Sequence, residues 1–523
     1  MGGKSKQMND FEIHSFDRFA CDGVGDRLIY LINYSEYYLM ELCNVFPVLP
    51  RIAGGWDHIP HRQGTHIFRG HQIHIRNYGD VGEIPSGAIL LILDSYPLDR
   101  FRWLQKKGYF LEKFSSCYYF AGREMDIDLE YRKKYSGMPL RNIIVFRSGE
   151  GASRRLPGED FGDNARALFE YMLEKKYDSK YELVWFVHNP KIYEERYAGR
   201  SVRFLPYEAA ATDDVRLRDA YYEVLCLAKF IFFTNSAVFC RNAREDQVRV
   251  QLWHGCGLKS VRNTHVGADE YKYEYMTVVG SLYADMHVEE FGLRREQLLV
   301  TGYPKDDLLY HPLENWQERL HIPLADKYIF WLPTWRTTEL QGEWQGKVVN
   351  AATGLPIVSS VEMLKQLNDL LKMLNTVIIL KLHPRQDRKS LRSVNCSQIM
   401  VLENETLADE DVQINEILGH ADALISDYSS AAVDYALLDR PIAFSVDDET
   451  EYASGHGFLW DNIHQWLPGV ELVRFSDMMA FVKDVAAGRD PSREKRRMLN
   501  EKFHDFNDDN NSVRVLDALG IDL

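Results

Sequence analysis

The feature that most constrains this chain is the regular alternation, from residue 141 onward, of short apolar runs with longer amphipathic stretches. Apolar runs of about five residues, separated by helical patterns of about 10 to 15 residues, are typical of right-handed βαβ units in a parallel sheet. The first series of such elements therefore predicts an open α/β domain. Its expected strands are 142–146, 182–187, 230–234, 248–253 and 275–279, and its expected helices are 164–176 and 215–229.

A second series of the same kind begins after a polar, proline-containing joint at residues 311–323. Two α/β halves of nearly equal size predict two Rossmann-like domains that face each other across a cleft. We therefore expect two domains, one formed by residues 139–312 and the other by residues 313–523. The second series comprises 328–332, 361–374, 377–382, 399–402, 412–418, 423–426, 431–438 and 441–444, followed by a helical tail from 476 to about 506.

Residues 1–138 are predicted to form a separate, small α/β accessory domain. A buried strand at 87–94, a helix at 98–107 and a short strand at 116–120 support this interpretation. Five histidines lie close together in a glycine-rich stretch that we expect to be a loop. A metal site would need regular ligand spacing together with support from carboxylates or cysteines, so an ordinary polar surface is favoured. These histidines are His58, His61, His66, His71 and His74.

Composition excludes several classes of protein. The chain has 62 basic and 77 acidic side chains, which give a net charge of −15 and argue against a nucleic-acid partner. No apolar run approaches the roughly 18 residues that a membrane-spanning helix needs. The seven cysteines are scattered without a CxxC pair. This usage predicts no disulfide framework and indicates a reducing cytoplasm.

The most informative residues follow the predicted strands, because ligands of open α/β sheets bind beyond the carboxyl ends of the strands. His254 and Gly255 come directly after the strand at 248–253. The glycine allows a tight turn, and an imidazole at a strand end can accept a proton near neutral pH. His254 is therefore a candidate general base. A histidine that only hydrogen-bonds its own loop to the sheet explains the position equally well.

Two further strand ends carry groups that suit an anion. Lys381, His383 and Arg385 place three cationic side chains within five residues after the strand at 377–382. Ser429 and Ser430 follow the strand at 423–426 and precede an apolar helix, where they are natural N-caps. Helix N-termini and cations both favour phosphate, although capping alone would also explain the serines.

Several of these loops together resemble the CDP-glycerol glycerophosphotransferase family, which includes teichoic-acid primases and polymerases and relatives in capsule synthesis. The similarity runs from about residue 141 to the C-terminal region and includes Asp163 and Asn164. One departure is Cys256-Gly257, where the family usually has Thr-Pro, so the acceptor side is expected to differ in detail. The matching motifs are QLWHGCGLK (251–259), TGYP (301–304), LPTWR (332–336), KLHP (381–384), SDYSS (426–430) and DYALLDRP (434–441).

The resemblance implies a GT-B architecture and an enzyme that moves an alditol phosphate, most often glycerol phosphate, from a CDP-alditol to a hydroxyl, releasing CMP. Residues 139–312 would form the acceptor side, and residues 313–523, with their C-terminal helices, would bind the donor. It implies His254 and His383 as the catalytic pair. No cofactor is obligatory, although Asp427 or Asp434 could recruit Mg²⁺ through the diphosphate. The expected substrate-binding residues are Gly255, Lys259, Gly302, Pro304, Thr334, Arg336, Lys381, Arg385, Ser426, Asp427, Ser429, Ser430 and Asp434.

The expected partners are a CDP-alditol donor and a lipid-linked saccharide or polyol-phosphate acceptor. The expected location is the cytoplasm, peripherally on the inner face of the cell membrane. The sequence leaves glycerol and ribitol open as the alditol. Two alternatives also stay open: a GT-B glycosyltransferase that uses a CMP-activated sugar, as sialyltransferases do, and a non-catalytic nucleotide-binding scaffold.

Overall fold

A computed structural model describes residues 13–16, 23–59, 62–120, 123–149, 160–260, 269–333, 353–382, 396–447, 449, 453 and 457–523. Within these ranges the chain forms three sheets, each flanked by helices. Two are wholly parallel and the third is parallel except for one strand pair, which confirms the predicted α/β fold class. None of the helices in this part of the chain combines the length and apolarity needed to cross a bilayer.

The middle sheet is a seven-stranded parallel sheet in the order β10-β9-β8-β11-β12-β13-β14. The strand order reverses between β8 and β11: from β8 the chain continues toward the β10 edge, and from β11 it continues toward the β14 edge. All five predicted strands are present, and the short strands β10 and β14 were not predicted. The strands are β8 (Arg141–Arg147), β9 (Glu182–Val187), β10 (Val202–Pro206), β11 (Ala228–Phe233), β12 (Val248–Gln251), β13 (Tyr275–Val278) and β14 (Leu298–Val300), with helices Asp163–Glu174, Pro190–Arg196, Val215–Leu227, Ser281–Phe291 and Pro304–Tyr310.

The C-terminal sheet has six parallel strands in the order β17-β16-β15-β18-β19-β20, which is again a Rossmann order, with its reversal between β15 and β18. The strands are β15 (Lys327–Trp331), β16 (Thr376–Leu380), β17 (Ile399–Val401), β18 (Ala423–Ser426), β19 (Ile442–Ser445) and β20 (Val470–Leu472), with helices Trp316–Arg319, Val361–Met373, Asn404–Asp409, Ile414–Leu418, Ala431–Ala436, Phe475–Ala486, Arg493–Phe503 and Asn511–Ala518.

The N-terminal sheet has the order β1-β7-β6-β2-β3-β5-β4. The loop predicted for the histidine-rich stretch is wrong, because most of it forms an antiparallel hairpin of β4 and β5. Arg69 and Gly70 both have positive φ, 46° and 81°, as the type I′ turn of a two-residue hairpin loop requires. The elements are β1 (Ile13–Ser15), β2 (Ile29–Ile32), β3 (Ile52–Trp56), β4 (Gly64–Phe68), β5 (His71–Arg76), β6 (Ile89–Ile92) and β7 (Ser116–Tyr119), with helices Glu36–Val45, Pro97–Lys106 and Arg123–Tyr135.

The helical tail predicted from residue 476 to about 506 is present, and it consists of two helices. The helix Phe475–Ala486 ends before Gly488, whose φ of 68° breaks the helix, and a second helix starts at Arg493 after Pro491. A third helix, Asn511–Ala518, returns to the middle sheet and packs its Val515 and Leu516 into that sheet's core. The last helix therefore joins the two Rossmann-like halves.

Asp307 fixes this returning helix. Its carboxylate accepts hydrogen bonds from the backbone N–H groups of Asn511 and Ser512, both at 2.9 Å, and from the Ser512 hydroxyl at 2.7 Å. A carboxylate at the first turn of a helix satisfies otherwise unpaired N–H groups and suits the helix dipole. The C-terminal segment is thereby anchored beside the TGYP motif, residues 301–304.

Candidate functional site

The backbone of the loop that follows β12 is fixed from several sides. Asn164 donates from Nδ2 to the carbonyl of Trp253 at 2.9 Å, and the Gln251 side-chain oxygen accepts from the Trp253 N–H at 3.1 Å. Trp253 has a φ of 55°, a conformation that a bulky residue rarely adopts. Surrounding contacts hold such strained residues in place, and strained residues of this kind are common at functional sites.

His254 is the next residue, and its side chain is exposed to solvent. Its imidazole lies against the Trp253 indole, with ring centroids 4.0 Å apart. Its backbone carbonyl accepts a hydrogen bond from the Lys305 ammonium at 3.0 Å. The residue therefore combines a fixed backbone with an imidazole that an incoming substrate can reach.

Gly255 brings this loop against the SDYSS loop of the C-terminal half. A Cβ built on Gly255 would lie 2.6 Å from the Cβ of Ser430, and its φ of 149° is itself unfavourable for other residues. Gly257 approaches the same loop, with Ser430 N and Tyr428 O at 3.5 and 3.7 Å from the position of its absent Cβ. The two motifs, distant in sequence, are thus in direct contact.

Beneath this contact lies a buried ion pair between the halves. Lys305, at the start of the helix Pro304–Tyr310, binds the Asp434 carboxylate at 2.7 Å, and both side chains are at least nine-tenths buried. Burial alone would lower the pKa of Lys305, but Asp434, Asp163 and Asp306 outweigh it and hold that pKa above its ordinary value. The lysine is therefore a fixed cation.

Burial acts on the carboxyl groups around Lys305 in the opposite sense, because it raises the pKa of an acid. Burial raises the pKa of Asp434 and the pKa of Asp306, with Lys305 opposing the rise in both. Burial likewise raises the pKa of Asp163 to about 6. Three acids thus share one cation, so the cluster depends on Lys305 for its neutralisation.

A second contact between the halves follows the histidine loop. Lys259 forms an antiparallel bridge with Phe458, and the Ser260 N–H donates to Gly457 O at 3.1 Å. The Leu459 N–H donates to Leu258 O, also at 3.1 Å. The segment 258–260 therefore runs along a segment of the C-terminal half, which fixes the orientation of the loop at its far end.

Cys256 points away from the solvent into a buried polar chain. Its Sγ lies 2.9 Å from the Tyr303 hydroxyl and 3.6 Å from His287 Nε2, and His287 Nδ1 lies 3.2 Å from Glu290. Burial raises the pKa of the Cys256 thiol to about 12, so it stays protonated at neutral pH. Cys256, which departs from the family pattern, therefore contacts buried side chains beneath the loop and does not face a substrate.

Comparison with known proteins shows the family. The sequence profile of the CDP-glycerol:poly(glycerophosphate) glycerophosphotransferases matches residues 140–520. The chain belongs to this family. The prediction made from the motifs is confirmed, and with it the class of enzyme: a transferase of glycerol phosphate derived from CDP-glycerol, acting on a growing polymer. Neither the sialyltransferase-like nor the non-catalytic alternative is supported.

Individual relatives agree with the family match. A teichoic acid glycerol-phosphate transferase of Staphylococcus aureus is 25% identical over 413 residues, which cover 74% of this chain and 95% of that protein. A teichoic acid poly(glycerol phosphate) polymerase of Bacillus spizizenii is 27% identical over 62% of this chain and 79% of that protein. The solved wall teichoic acid polymerase TagF is similar in fold, with a TM-score of 0.55 and 20% identity over 76% of this chain and 93% of that one.

The predicted site residues differ in their surroundings. Ser426 and Asp427 are buried at the end of β18, and Lys381 is half-buried at the end of β16. Ser430 stands at the predicted N-cap position of the six-residue helix Ala431–Ala436. Its side chain makes no capping hydrogen bond there and faces Gly255 instead. Ser429 Oγ accepts from Ala431 N at a long 3.4 Å.

Gly302 and Pro304 have packing functions. Gly302, with a φ of 75°, leaves no room for a side chain beside Asn511, and the buried Pro304 begins the helix that carries Lys305. Four predicted site residues lie outside the described residues: Thr334, Arg336, His383 and Arg385. Lys305 and Asp163 were not among the predicted site residues, although Lys305 directly follows the TGYP motif and Asp163 stands in a segment that resembles the family.

No group of three or more His, Cys, Asp or Glu side chains is placed to hold a metal ion in the part of the chain that the structure describes. Asp434, one of the two carboxylates expected to recruit Mg²⁺, is instead paired with Lys305. Asp427 lies buried at the SDYSS loop. Mg²⁺ bound through a diphosphate therefore stays a prediction.

Gly255→Ala tests the close approach of the two loops. We expect a loss of about 1–3 kcal/mol in stability, because the new Cβ meets Ser430 at an unfavourable φ. We also expect a fall in transfer rate of about 100-fold, since a shift of about 1 Å at a reacting group has that cost. Thermal unfolding and CMP release measure the two effects. Gly199→Ala is the control, because Gly199 has a φ of 82° but no atom within 4 Å of its absent Cβ; an equal rate loss there contradicts the prediction.

Proposed function

We propose that this protein transfers glycerol phosphate from CDP-glycerol to a terminal hydroxyl of a lipid-linked saccharide or a growing cell-surface polymer, at a site between its two Rossmann-like halves. The observation that carries the proposal is the contact between the His254 loop and the Ser430 loop. This contact brings together the motif with His254, a residue type that suits proton transfer, and the SDYSS motif, whose serines suit anion binding. The names of the relatives above support the same class of donor.

In this proposal His254 is the general base. Its imidazole accepts the proton of the acceptor hydroxyl as that oxygen attacks the β-phosphorus of CDP-glycerol. The new bond joins the acceptor oxygen to phosphorus, the bond from phosphorus to the bridging oxygen breaks, and CMP leaves with the electron pair. The fixed backbone of residue 254 supports this role, because a general base needs a defined position relative to the proton.

The groups proposed to hold the donor lie on the C-terminal half. Lys381, Ser426, Asp427, Ser429 and Ser430 end or follow β16 and β18, and the order of the sheet reverses between β15 and β18. Ligands of open α/β sheets bind at such reversals. We propose that Lys381 and the serines hold the diphosphate, together with His383 and Arg385. Cations and hydroxyls placed around non-bridging oxygens stabilise phosphoryl transfer.

The acceptor is proposed to approach from the side of the middle sheet, near Lys259 and Gly255. A lipid-linked acceptor would bring the protein to the inner face of the membrane as a peripheral protein. The basic segment 493–497 gives little support to direct lipid contact. Arg493, Arg496 and Arg497 all bind the Asp439 carboxylate, at 3.1, 3.0 and 2.7 Å, so their charge is partly neutralised within the protein.

The test is a parallel incubation of the purified protein with CDP-glycerol, CDP-ribitol and CMP-sialic acid, each with a lipid-linked or soluble saccharide acceptor. Mass spectrometry of the products identifies the group transferred. We expect CMP release and addition of glycerol phosphate from CDP-glycerol. Exclusive use of CDP-ribitol would show that the alditol is ribitol and not glycerol. Sugar transfer from CMP-sialic acid would overturn the proposal. Adding EDTA tests Mg²⁺ in the same assay.

A further inference from the structure

The N-terminal sheet has polar side chains where three neighbouring strands end. Asn33 follows β2, Asp57 follows β3 and Asp94 lies just beyond β6, and all three are buried. In the sheet, β2 lies between β3 and β6, so the chain order reverses at this point. A reversal of this kind leaves a crevice at the carboxyl ends of the strands, where α/β sheets commonly bind ligands.

Arg100 occupies this crevice with unused hydrogen-bonding capacity. Its side chain is 1% exposed, its Nε binds Asp94 at 3.0 Å and its Nη2 lies 3.3 Å from His58 Nδ1. Its Nη1 has no hydrogen-bond partner among the residues that the structure describes, and neither has the buried Tyr78 hydroxyl. Burial raises the pKa of Tyr78, so its hydroxyl keeps a proton that it can donate. Buried donors without partners are rare unless a ligand or water completes them.

A cavity of about 250 Å³ lies beside these two residues, and its lining includes Tyr78 and Arg100 as well as Asn77 and Glu270. Aromatic side chains form its walls. The Trp103 ring lies 5.8 Å from Tyr78, 5.6 Å from Tyr109 and 6.0 Å from Tyr271, measured between centroids. The volume is below the about 300–1,000 Å³ typical of pockets for drug-sized ligands, so it accommodates a single ring.

The charges of the lining are balanced within the protein. Arg100 is paired with Asp94, and Glu270 is paired with Lys107 at 3.1 Å and with Arg294 at 3.2 Å. No charge excess on these residues therefore selects an anion or a cation. Aromatic faces combined with planar polar groups match a ligand that has C–H faces and many hydroxyls.

We propose that this cavity is a binding site for one neutral sugar ring, separate from the CDP-glycerol site. The C–H face of the sugar would lie against Trp103 and Tyr109, and its hydroxyls would lie beside the polar ends of Arg100 and Tyr78. The site lies between the N-terminal sheet and residues 270–292 of the middle domain, and three of its aromatic residues are outside the part of the chain that matches the family. It does not depend on the proposed function.

The test is saturation-transfer NMR and calorimetry of the full chain with glucose, galactose, N-acetylglucosamine and N-acetylmannosamine, beside glucuronate and glycerol 3-phosphate. We expect at least one neutral sugar to saturate with a Kd of about 10 mM or lower, more tightly than either anion and without competition from CDP. The proposal is overturned if no neutral sugar saturates, if an anion binds more tightly, or if CDP displaces the sugar.

Variants assign the binding to the cavity. Tyr109→Ala, at the half-buried rim, and Arg100→Lys are each expected to weaken sugar binding at least about tenfold, as loss of a stacking face or a hydrogen-bonded guanidinium would. Tyr37→Ala removes a 62% exposed tyrosine from the same domain and is expected to leave binding unchanged. If Arg100→Lys fails to fold, Tyr109→Ala decides the result. Binding that survives Tyr109→Ala as well as it survives Tyr37→Ala overturns the proposal.

Discussion

Replacing His254 by glutamine lowers the rate of CMP release from CDP-glycerol by about 100- to 10,000-fold, the range that loss of a general base costs. Glutamine keeps a similar size and hydrogen-bonding capacity but cannot take the proton of the acceptor hydroxyl. Because the side chain is exposed and the backbone is held by Asn164 and Lys305, we expect the loop and the unfolding temperature to be unchanged. Steady-state CMP release and calorimetric binding of CDP-glycerol are the measurements, with donor affinity expected within about threefold of the native value.

The control for this variant is His311→Gln, which removes a surface histidine with a 68% exposed side chain from the same half. We expect native activity from it. The alternative role of His254, a residue that only secures its own loop, makes a different prediction: the unfolding temperature would fall and the rate would follow it. A His254→Gln protein that keeps more than about a tenth of the native rate is incompatible with the general-base assignment.

Replacing Lys305 by methionine destabilises the protein by about 3–5 kcal/mol, the cost of breaking a buried ion pair by removing one partner. Methionine fills much of the same volume, so the main effect is electrostatic. Asp434, Asp306 and Asp163 would then share a buried region without their cation. Urea unfolding followed by fluorescence measures the change. The transfer rate is also expected to fall, because the His254 carbonyl loses its donor.

Lys327→Met is the matched control, since Lys327 binds Asp422 at a similar 2.8 Å but is 36% exposed. Surface pairs of this kind contribute about 0–1 kcal/mol, so little change is expected. The double variant Lys305→Met/Asp434→Asn restores part of the lost stability, because one of the uncompensated carboxylates is gone. Equal unfolding midpoints for Lys305→Met and Lys327→Met would show that the buried pair does not hold the halves together.

The strands of the two Rossmann-like sheets could be predicted because their signal is local. β9, β16 and β18 are almost wholly apolar segments of the length that buried parallel strands require. Short strands at or near sheet edges, such as β10 and β20, were missed because only part of their surface is buried and their pattern is mixed. The hairpin of β4 and β5 was missed because its histidines and glycine were interpreted as loop residues, although Arg69-Gly70 supports a tight turn.

The site could be predicted only in part. His254 was found because a histidine and glycines after a strand are a local pattern. Lys305 was not selected, because nothing near it in sequence indicates that its ammonium binds a carboxylate 129 residues away. Ser430 was expected to cap its helix, and its contact with Gly255 depends on how the two halves pack.

The sequence by itself therefore determined the α/β class, the order of the family motifs and the position of His254 at the end of a strand. These follow from side-chain periodicity and from turn residues, which act between neighbours along the chain. Only the tertiary structure decided which strand ends meet, that Lys305 and Asp434 join the halves, and that a cavity lies beside Arg100. Those features depend on how separate sheets pack against each other. Burial in that packing changes the energy of a charged side chain far more than the neighbouring residues in the sequence do.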